Sequence, residues 1–162
     1  MDNPNYFPIF IPSEGRTFLV VGGGKVALRR IRTLTRFRWR IRVVAPRVET
    51  EVAALAQADT LEWRDRVFEM ADLDGVVMAT AATDDRSVNR QVGILCRERG
   101  IPVSVADCPS ECDYFFPAVA VRDQLVAGVT GDGLNHHEVA RAAAAVRSAL
   151  ARMDAEDKGQ HG

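Results

Sequence analysis

Residues 17–31 read TFLVVGGGKVALRRI: a short apolar run, three consecutive glycines, then a stretch with helical periodicity. Such a segment turns a buried strand sharply into a helix. Gly22-x-Gly24-x-x-Ala27 fits the pattern G-x-G-x-x-G/A. In that pattern the first glycine permits a tight turn and the second lets a pyrophosphate approach the backbone. The third small residue lets the helix pack close to its strand. The helix N-terminus adds free N–H groups and a partial positive charge, both suited to phosphate. Here the motif follows a strand, opens a helix and begins a strand–helix–strand unit, the context in which it signals a dinucleotide rather than a bare turn. The loop Gly22, Gly23 and Gly24 is therefore the first candidate binding element.

The rest of the chain is expected to alternate. A strand at 17–21 leads to a helix at 25–37 whose inward face carries Ala27, Ile31 and Leu34. A second strand over 41–45, a short helix at 49–58, a strand at 61–63 and a strand at 75–81 follow. A helix at 84–99 begins with Asp84 and Asp85, which suit its positive end, and stops at Gly100. The segment 102–106 is a fifth strand. Strand–helix alternation with apolar strands predicts an α/β chain with a Rossmann-type parallel sheet and helices on both faces. After Pro109 the rhythm changes to two strands turning at Arg122–Gln124, then an alanine-rich helix over 137–153. The expected division is 1–112 for the nucleotide-binding part, 113–153 for a hairpin-and-helix region, and 154–162 for a polar, frayed tail.

In open α/β sheets, ligands sit at the carboxyl ends of the strands. The second strand usually ends there in an acid that binds a ribose, but this one runs into Ala45-Pro46-Arg47. Arg47 suits a 2′-phosphate, or is an exposed loop residue; both readings stand. Thr83 and Asp84, at the end of the fourth strand, border the expected cofactor. Asp107 ends the fifth strand, where a carboxylate suits proton abstraction beside a nicotinamide, or simply caps the turn before Pro109.

Composition narrows the alternatives. Apolar residues make up 47% and charged residues 27%, as in an ordinary globular protein. With 21 basic and 22 acidic residues the formal charge is −1, so no overall field attracts nucleic acid or an anionic membrane. Arg29, Arg30, Arg32, Arg36, Arg38, Arg40 and Arg42 crowd one segment, read either as a solvated face or as contacts to an acidic ligand. Cys96, Cys108 and Cys112 are too few for a disulfide framework. No secretory signal or run approaching the ~18 apolar residues of a membrane span is visible, so a cytoplasmic location is expected.

Several stretches in order resemble the precorrin-2 dehydrogenase / sirohydrochlorin ferrochelatase family, the N-terminal module of siroheme synthases. They are Pro8-Ile9-Phe10, VVGGGKVA (20–27), VVAP (43–46), ATAATDD (79–85), V-x-D-x-P-x-x-C-x-x-x-F-P-A (105–118) and RDQLVAGVT (122–130). The resemblance implies NAD-dependent oxidation of precorrin-2 to sirohydrochlorin, with iron insertion as a second activity in some members. It also implies a homodimer with its site at the subunit interface. It places Asp107 as the catalytic base and adds Lys25, Val26, Arg47 and Val48 to the cofactor contacts. Family use of NAD despite VVAP favours the loop reading of Arg47 over an NADP signature. Arg122 and Arg141 become candidates for the carboxylates of the tetrapyrrole, with ordinary surface arginines as the alternative.

The chain departs from the family in three places. The usual Ser-Pro pair before the last helix is His136-His137, with Thr130 retained; Thr130 and His136 are kept as substrate candidates. Adjacent histidines point about 100° apart on a helix and do not make an i, i+4 metal face, so no metal ligand set is assigned. Arg38 stands where a glycine usually ends the first helix, so that helix is expected to end differently. The helical region that follows in typical members is short here, so a partner is expected to cover the site, or the site is more open, or activity is reduced. A non-catalytic NAD-binding regulatory module is the alternative from another class.

Overall fold

In the computed structural model, which describes residues 6–131 and 135–159, the alternation becomes a five-stranded parallel sheet in the order β3-β2-β1-β4-β5. Its strands are β1 (Thr17–Val21), β2 (Arg40–Val44), β3 (Glu62–Arg64), β4 (Val76–Ala81) and β5 (Val103–Val105). Helices α1 (Lys25–Leu34), α2 (Thr50–Gln57) and α3 (Arg86–Glu98) make the crossovers, with 3-10 turns at Met70–Leu73 and Pro109–Glu111. The order reverses between β1 and β4, which leaves a crevice at their carboxyl ends. This is the expected Rossmann-type sheet.

Both faces of the sheet are covered, as the apolar strands require. Leu19 and Val21 of β1, Ala79 and Ala81 of β4, and Val103 and Val105 of β5 form a buried cluster with Val92 and Cys96 of α3. Ala27, Leu28, Ile31 and Leu34 are the buried stripe of α1. Phe18 packs edge-on against Trp39 and Tyr114, with ring centroids 5.4 and 6.4 Å away.

Helix ends follow local chemistry. Asp85, at the N-cap of α3, accepts from the N–H groups of Ser87 and Val88. Those bonds, led by the one from the Ser87 hydroxyl, hold its carboxyl below the usual range. At the other end Gly100 has φ +67°. Ile101 N–H donates to Cys96 O at 2.9 Å and Gly100 N–H to Arg97 O at 3.1 Å, a Schellman closure. Helix α1 stops at Leu34, short of the expected Phe37. A tight turn carries the chain to Arg38, with Phe37 N–H donating to Leu34 O at 3.0 Å. Arg38 is not among the residues with positive φ, so the missing glycine costs nothing there.

The arginine-rich segment is largely a solvated face. Arg38 pairs with Glu14 at 2.8 Å, Arg42 with Glu62 at 3.1 Å, and Arg32 with Glu51. Exposed pairs such as Arg38–Glu14 and Arg32–Glu51 contribute little, whereas the Arg42 side chain is largely buried. Arg30 differs: it is partly buried and donates to Thr80 Oγ1, and burial pushes its guanidinium below the usual value.

The carboxylate of Asp72 is fully buried. Arg66 reaches its oxygens at 2.8 and 2.7 Å, Arg64 at 2.6 Å, and the Glu69 N–H at 2.8 Å. Burial alone pushes this carboxyl up, but the hydrogen bonds from Arg66, Glu69 and Arg64 together outweigh it and bring it down to about 2. The unfolded chain therefore binds more protons than the folded one below about pH 4, and stability falls as pH drops toward 2.

Strand β5 is an edge, and the loop that leaves it satisfies its free backbone groups. Val103 N–H donates to the Asp113 carboxylate at 3.0 Å, and Asp113 N–H donates to Val103 O at 2.8 Å. Two residues along, Val105 N–H donates to Cys112 Sγ at 3.1 Å, and the thiol donates to Val105 O at 3.2 Å. Tyr114 Oη donates to Ala79 O at 2.8 Å. These bonds tie 112–114 to the sheet, so the first compact unit spans Ile11–Phe115, and the division lies beyond the expected 112/113.

The second unit comprises the residues from Phe116 onward together with the N-terminal residues up to Phe10, which were expected in the nucleotide-binding part. It holds an antiparallel hairpin of β6 (Ala118–Arg122) and β7 (Leu125–Val129), followed by α4 (His136–Gly159). Asp123 takes the left-handed conformation at the turn, φ +49°, which aspartate tolerates better than most residues. Ala120 of β6 and Ala143 of α4 are buried. Asn135 caps α4 by accepting from Glu138 N–H at 3.1 Å. The helix continues to Gly159, through most of the segment expected as a frayed tail.

Two measurements test these contacts. Between pH 5 and pH 2 the native chain is expected to lose about 2 kcal/mol more stability than Asp72→Asn, followed by urea unfolding at each pH. Cys112→Ala strands the Val105 N–H and is expected to cost about 1–3 kcal/mol, with Cys112→Ser recovering part of it.

Candidate functional site

The glycine loop lies where backbone meets backbone. A Cβ on Gly22 would stand 2.3 Å from Ala82 O, and one on Gly23 would stand 2.1 Å from Arg47 O and 2.7 Å from Val48 Cγ1. Gly22 also has φ +120°, closed to other residues. Its N–H donates to Val44 O at 3.0 Å, and Glu49 N–H donates to Gly23 O at 2.8 Å. The loop is thus pinned between the exits of β2 and β4, and it brings Arg47, Val48 and Thr83 beside the glycines.

Gly24 is different. It is exposed, its φ is −81°, and a Cβ there would meet nothing within 4 Å. As N-cap of α1 it leaves that helix without a side-chain cap, and the first turn holds no acid. Exposed Lys25 and Val26 begin the helix. An uncapped helix start free of carboxylates, with open space before it, is a fit for an anion. Arg47 is exposed and Val48 half-buried.

Across the crevice, Asp107 follows β5. Its carboxylate is 35% exposed in the side chain, open enough to meet a ligand. Asn89 Nδ2 donates to Asp107 Oδ2 at 3.0 Å, and Arg86 Nη1 stands 3.6 Å from Oδ1. Arg86 also pairs with Glu111, and that bond raises its guanidinium and lowers the Glu111 carboxyl.

Asn89 is the residue that sequence reasoning missed. It is fully buried. Its Oδ1 accepts from Thr83 N–H at 3.0 Å and from Thr83 Oγ1 at 2.8 Å, while Nδ2 donates to Thr83 O at 3.0 Å as well as to Asp107. One amide thus joins the exit of β4 to the exit of β5. A signal for it was present: Asn89 shares the inward stripe of α3 with Val92, Gly93 and Cys96. A polar residue on such a stripe needs partners.

The other expected residues fall elsewhere. Asp84 is exposed in the β4–α3 loop; the capping role goes to Asp85 alone. Arg122, Thr130 and Arg141 belong to the second unit: Thr130 and Arg141 are exposed, and Arg122 lies 3.9 Å from Asp123. The side chain of His136 lies outside the described residues. Among the described residues no group of histidine, cysteine and acidic side chains is placed to hold a metal, and Cys112 is engaged with the β5 edge.

A Rossmann-type sheet with a glycine loop at its switch point defines a nucleotide-binding protein, and the comparisons agree. A family model described as putative NAD(P)-binding matches residues 9–118, and the chain belongs to that family. The chain is also similar to siroheme synthases and to a precorrin-2 dehydrogenase of known structure. It is 44% identical over 128 residues to a siroheme synthase of Stutzerimonas stutzeri, covering 79% of this chain and 28% of that one. It is 39% identical over 138 residues to a probable multifunctional siroheme biosynthesis protein HemA of Ruminiclostridium josui, covering 85% of this chain and 27% of that one. The matched part is thus only about a quarter of the length of these relatives. A solved structure, SirC, precorrin-2 dehydrogenase, superposes with a TM-score of 0.73 at 27% identity, covering 88% of this chain and 70% of that one.

The glycines separate two effects. Gly23→Ala is expected to cost about 2 kcal/mol because its Cβ strikes backbone. Gly24→Ala is expected to stay within about 0.5 kcal/mol. Urea unfolding of both variants checks this.

Proposed function

We propose that this chain binds NAD⁺ at the Gly22–Gly24 loop and oxidises precorrin-2 to sirohydrochlorin, with Asp107 taking the proton. The observation that carries the proposal is Asn89, which ties the nucleotide side of the crevice at Thr83 to the carboxylate at Asp107. NAD⁺ supplies the hydride acceptor. Pyrophosphate lies against the open start of α1, where Gly24, Lys25 and Val26 present backbone N–H groups. Gly22 and Gly23 hold the turn, with Arg47 and Val48 beside the adenosine half and Thr83 and Asp84 bordering the other. Asp107, oriented by the donor on its Oδ2, accepts the proton released as the ring system is oxidised. Arg122, Thr130, His136 and Arg141 are assigned to the carboxylated edge of the tetrapyrrole.

We place the enzyme in the cytoplasm as a homodimer. Phe7, Ile9 and Phe10 of the second unit are 86%, 74% and 69% exposed, and Leu125 is 49% exposed. Apolar side chains so open suit burial against a second copy. The cysteines are unpaired, and no helix among the described residues is long and apolar enough to cross a membrane.

The test is anaerobic turnover of enzymatically generated precorrin-2 with NAD⁺, following NADH and the sirohydrochlorin spectrum together. The native chain is expected to turn over, and Asp107→Ala to fall by about 100-fold or more while still binding NAD⁺. Equal rates would remove Asp107 from the reaction. NAD⁺ binding without turnover in the native chain would remove the dehydrogenase itself. Gly24→Ala is expected to fold normally yet weaken NAD⁺ by about tenfold or more, read by calorimetry.

A further inference from the structure

Helix α3 begins with a residue that its own electrostatics disfavour. Arg86 occupies the first helical position, where the positive end of the helix favours acids over cations. Its guanidinium is held by two carboxylates instead. Nη2 bonds Glu111, and Nη1 stands 3.6 Å from Asp107 Oδ1. The Arg97 guanidinium in turn donates to Glu111 O at 3.0 Å, tying the 3-10 turn that carries Glu111 to the far end of α3.

One turn along, Asn89 addresses the other oxygen of Asp107. Its orientation is settled by Thr83: the N–H of Thr83 meets Oδ1 and the carbonyl of Thr83 meets Nδ2, both at 3.0 Å. A flipped amide would set N–H against N–H and oxygen against oxygen. The group facing Asp107 Oδ2 is therefore a donor, matched to a carboxylate oxygen that accepts. Full burial of Asn89 denies it the alternative of water.

We propose that Arg86 and Asn89 form a two-point clamp on Asp107, one on each oxygen, and are positioning residues for its proton-accepting step. This deepens the proposed reaction and rests on Asp107 being its base. Asn89 acts through a hydrogen bond and sets the orientation of the carboxylate. Arg86, beyond hydrogen-bond distance, acts through charge, with Glu111 anchoring it. The charged groups on the elements around Asp107 are Arg86, Arg90, Arg97 and Glu98 of α3, Glu111 of the 3-10 turn, and Asp84 and Asp85 of the β4–α3 loop; the Cys108 thiol adjoins it in sequence. Of these, Arg86 is the cation whose guanidinium approaches the Asp107 carboxylate, at 3.6 Å.

The experiment is a carboxyl NMR titration of the full chain labelled with ¹³C-aspartate, the Asp107 signal assigned by its loss in Asp107→Ala. It is paired with the pH profile of kcat/KM for precorrin-2. Arg86→Gln is expected to raise the Asp107 midpoint by roughly half a pH unit, a modest step because both side chains are partly solvated. The acidic limb of kcat/KM should move up by the same amount, KM for NAD⁺ should hold, and Arg86→Lys should restore most of the shift. Asn89→Asp, which sets oxygen against oxygen, is expected to raise the midpoint further; should it fail to fold, Arg86 decides alone. An unmoved midpoint in Arg86→Gln, or a rise only in KM for precorrin-2, would overturn the clamp. The two failures are separable. A native rate in Asp107→Ala with a shifted titration removes the base and leaves the clamp; an inactive Asp107→Ala with an unmoved titration removes the clamp and leaves the base.

Discussion

The close approach of three backbone segments at Gly22 and Gly23 is the constraint on which the crevice depends. Ala82 O and Arg47 O stand where side-chain carbons would otherwise be, so the exits of β2 and β4 can converge on the exit of β1. Without that convergence the loop could not be pinned by Val44 and Glu49, and Thr83 would not lie beside it. The third glycine, Gly24, faces open space instead. The same run of residues thus holds two kinds of glycine: one kind required by the protein's own packing, the other leaving room before a helix start.

From that point the polar connections run outward through α3. Its first turn carries Asp85 as cap, Arg86 as an unfavourably placed cation, and Asn89 as a buried amide. The cap stabilises the helix; the other two have their partners outside it. A buried amide that makes four bonds rigidifies what it touches, and here it touches the ends of two adjacent strands. The distance between the nucleotide loop and the carboxylate is therefore set by folded structure rather than by flexible loops.

The edge of the sheet obeys a related logic. A short β5 at the edge of the sheet needs partners, and Cys112 and Asp113 supply them. The V-x-D-x-P-x-x-C motif thus combines two tasks, one carboxylate at the crevice and one thiol on the strand edge. The Cys112 thiol is spent on the backbone of Val105. The division between the compact units has the same origin, since the chain leaves the sheet only after Tyr114.

Order, type and approximate extent of the elements were legible in the sequence, because apolar periodicity, glycine punctuation and acidic helix starts are local signals. The glycine motif and the strand-end position of Asp107 were legible for the same reason. Helix ends were less so: α1 closes by a tight turn at Leu34, and α4 runs on to Gly159, where competing local geometries differ little in energy. Tertiary structure alone decided which side chains meet. Asn89 and Asp107 are eighteen positions apart, |i−j| = 18, and nothing local says that the ends of β4 and β5 are neighbours; strand pairing makes them so. The same pairing separates Gly23 from Gly24, turned Cys112 into a backbone partner, and left Asp72 ionised in the interior between two arginines. Sequence carries propensities along the chain, whereas a hydrogen bond across strands exists only once the sheet has closed.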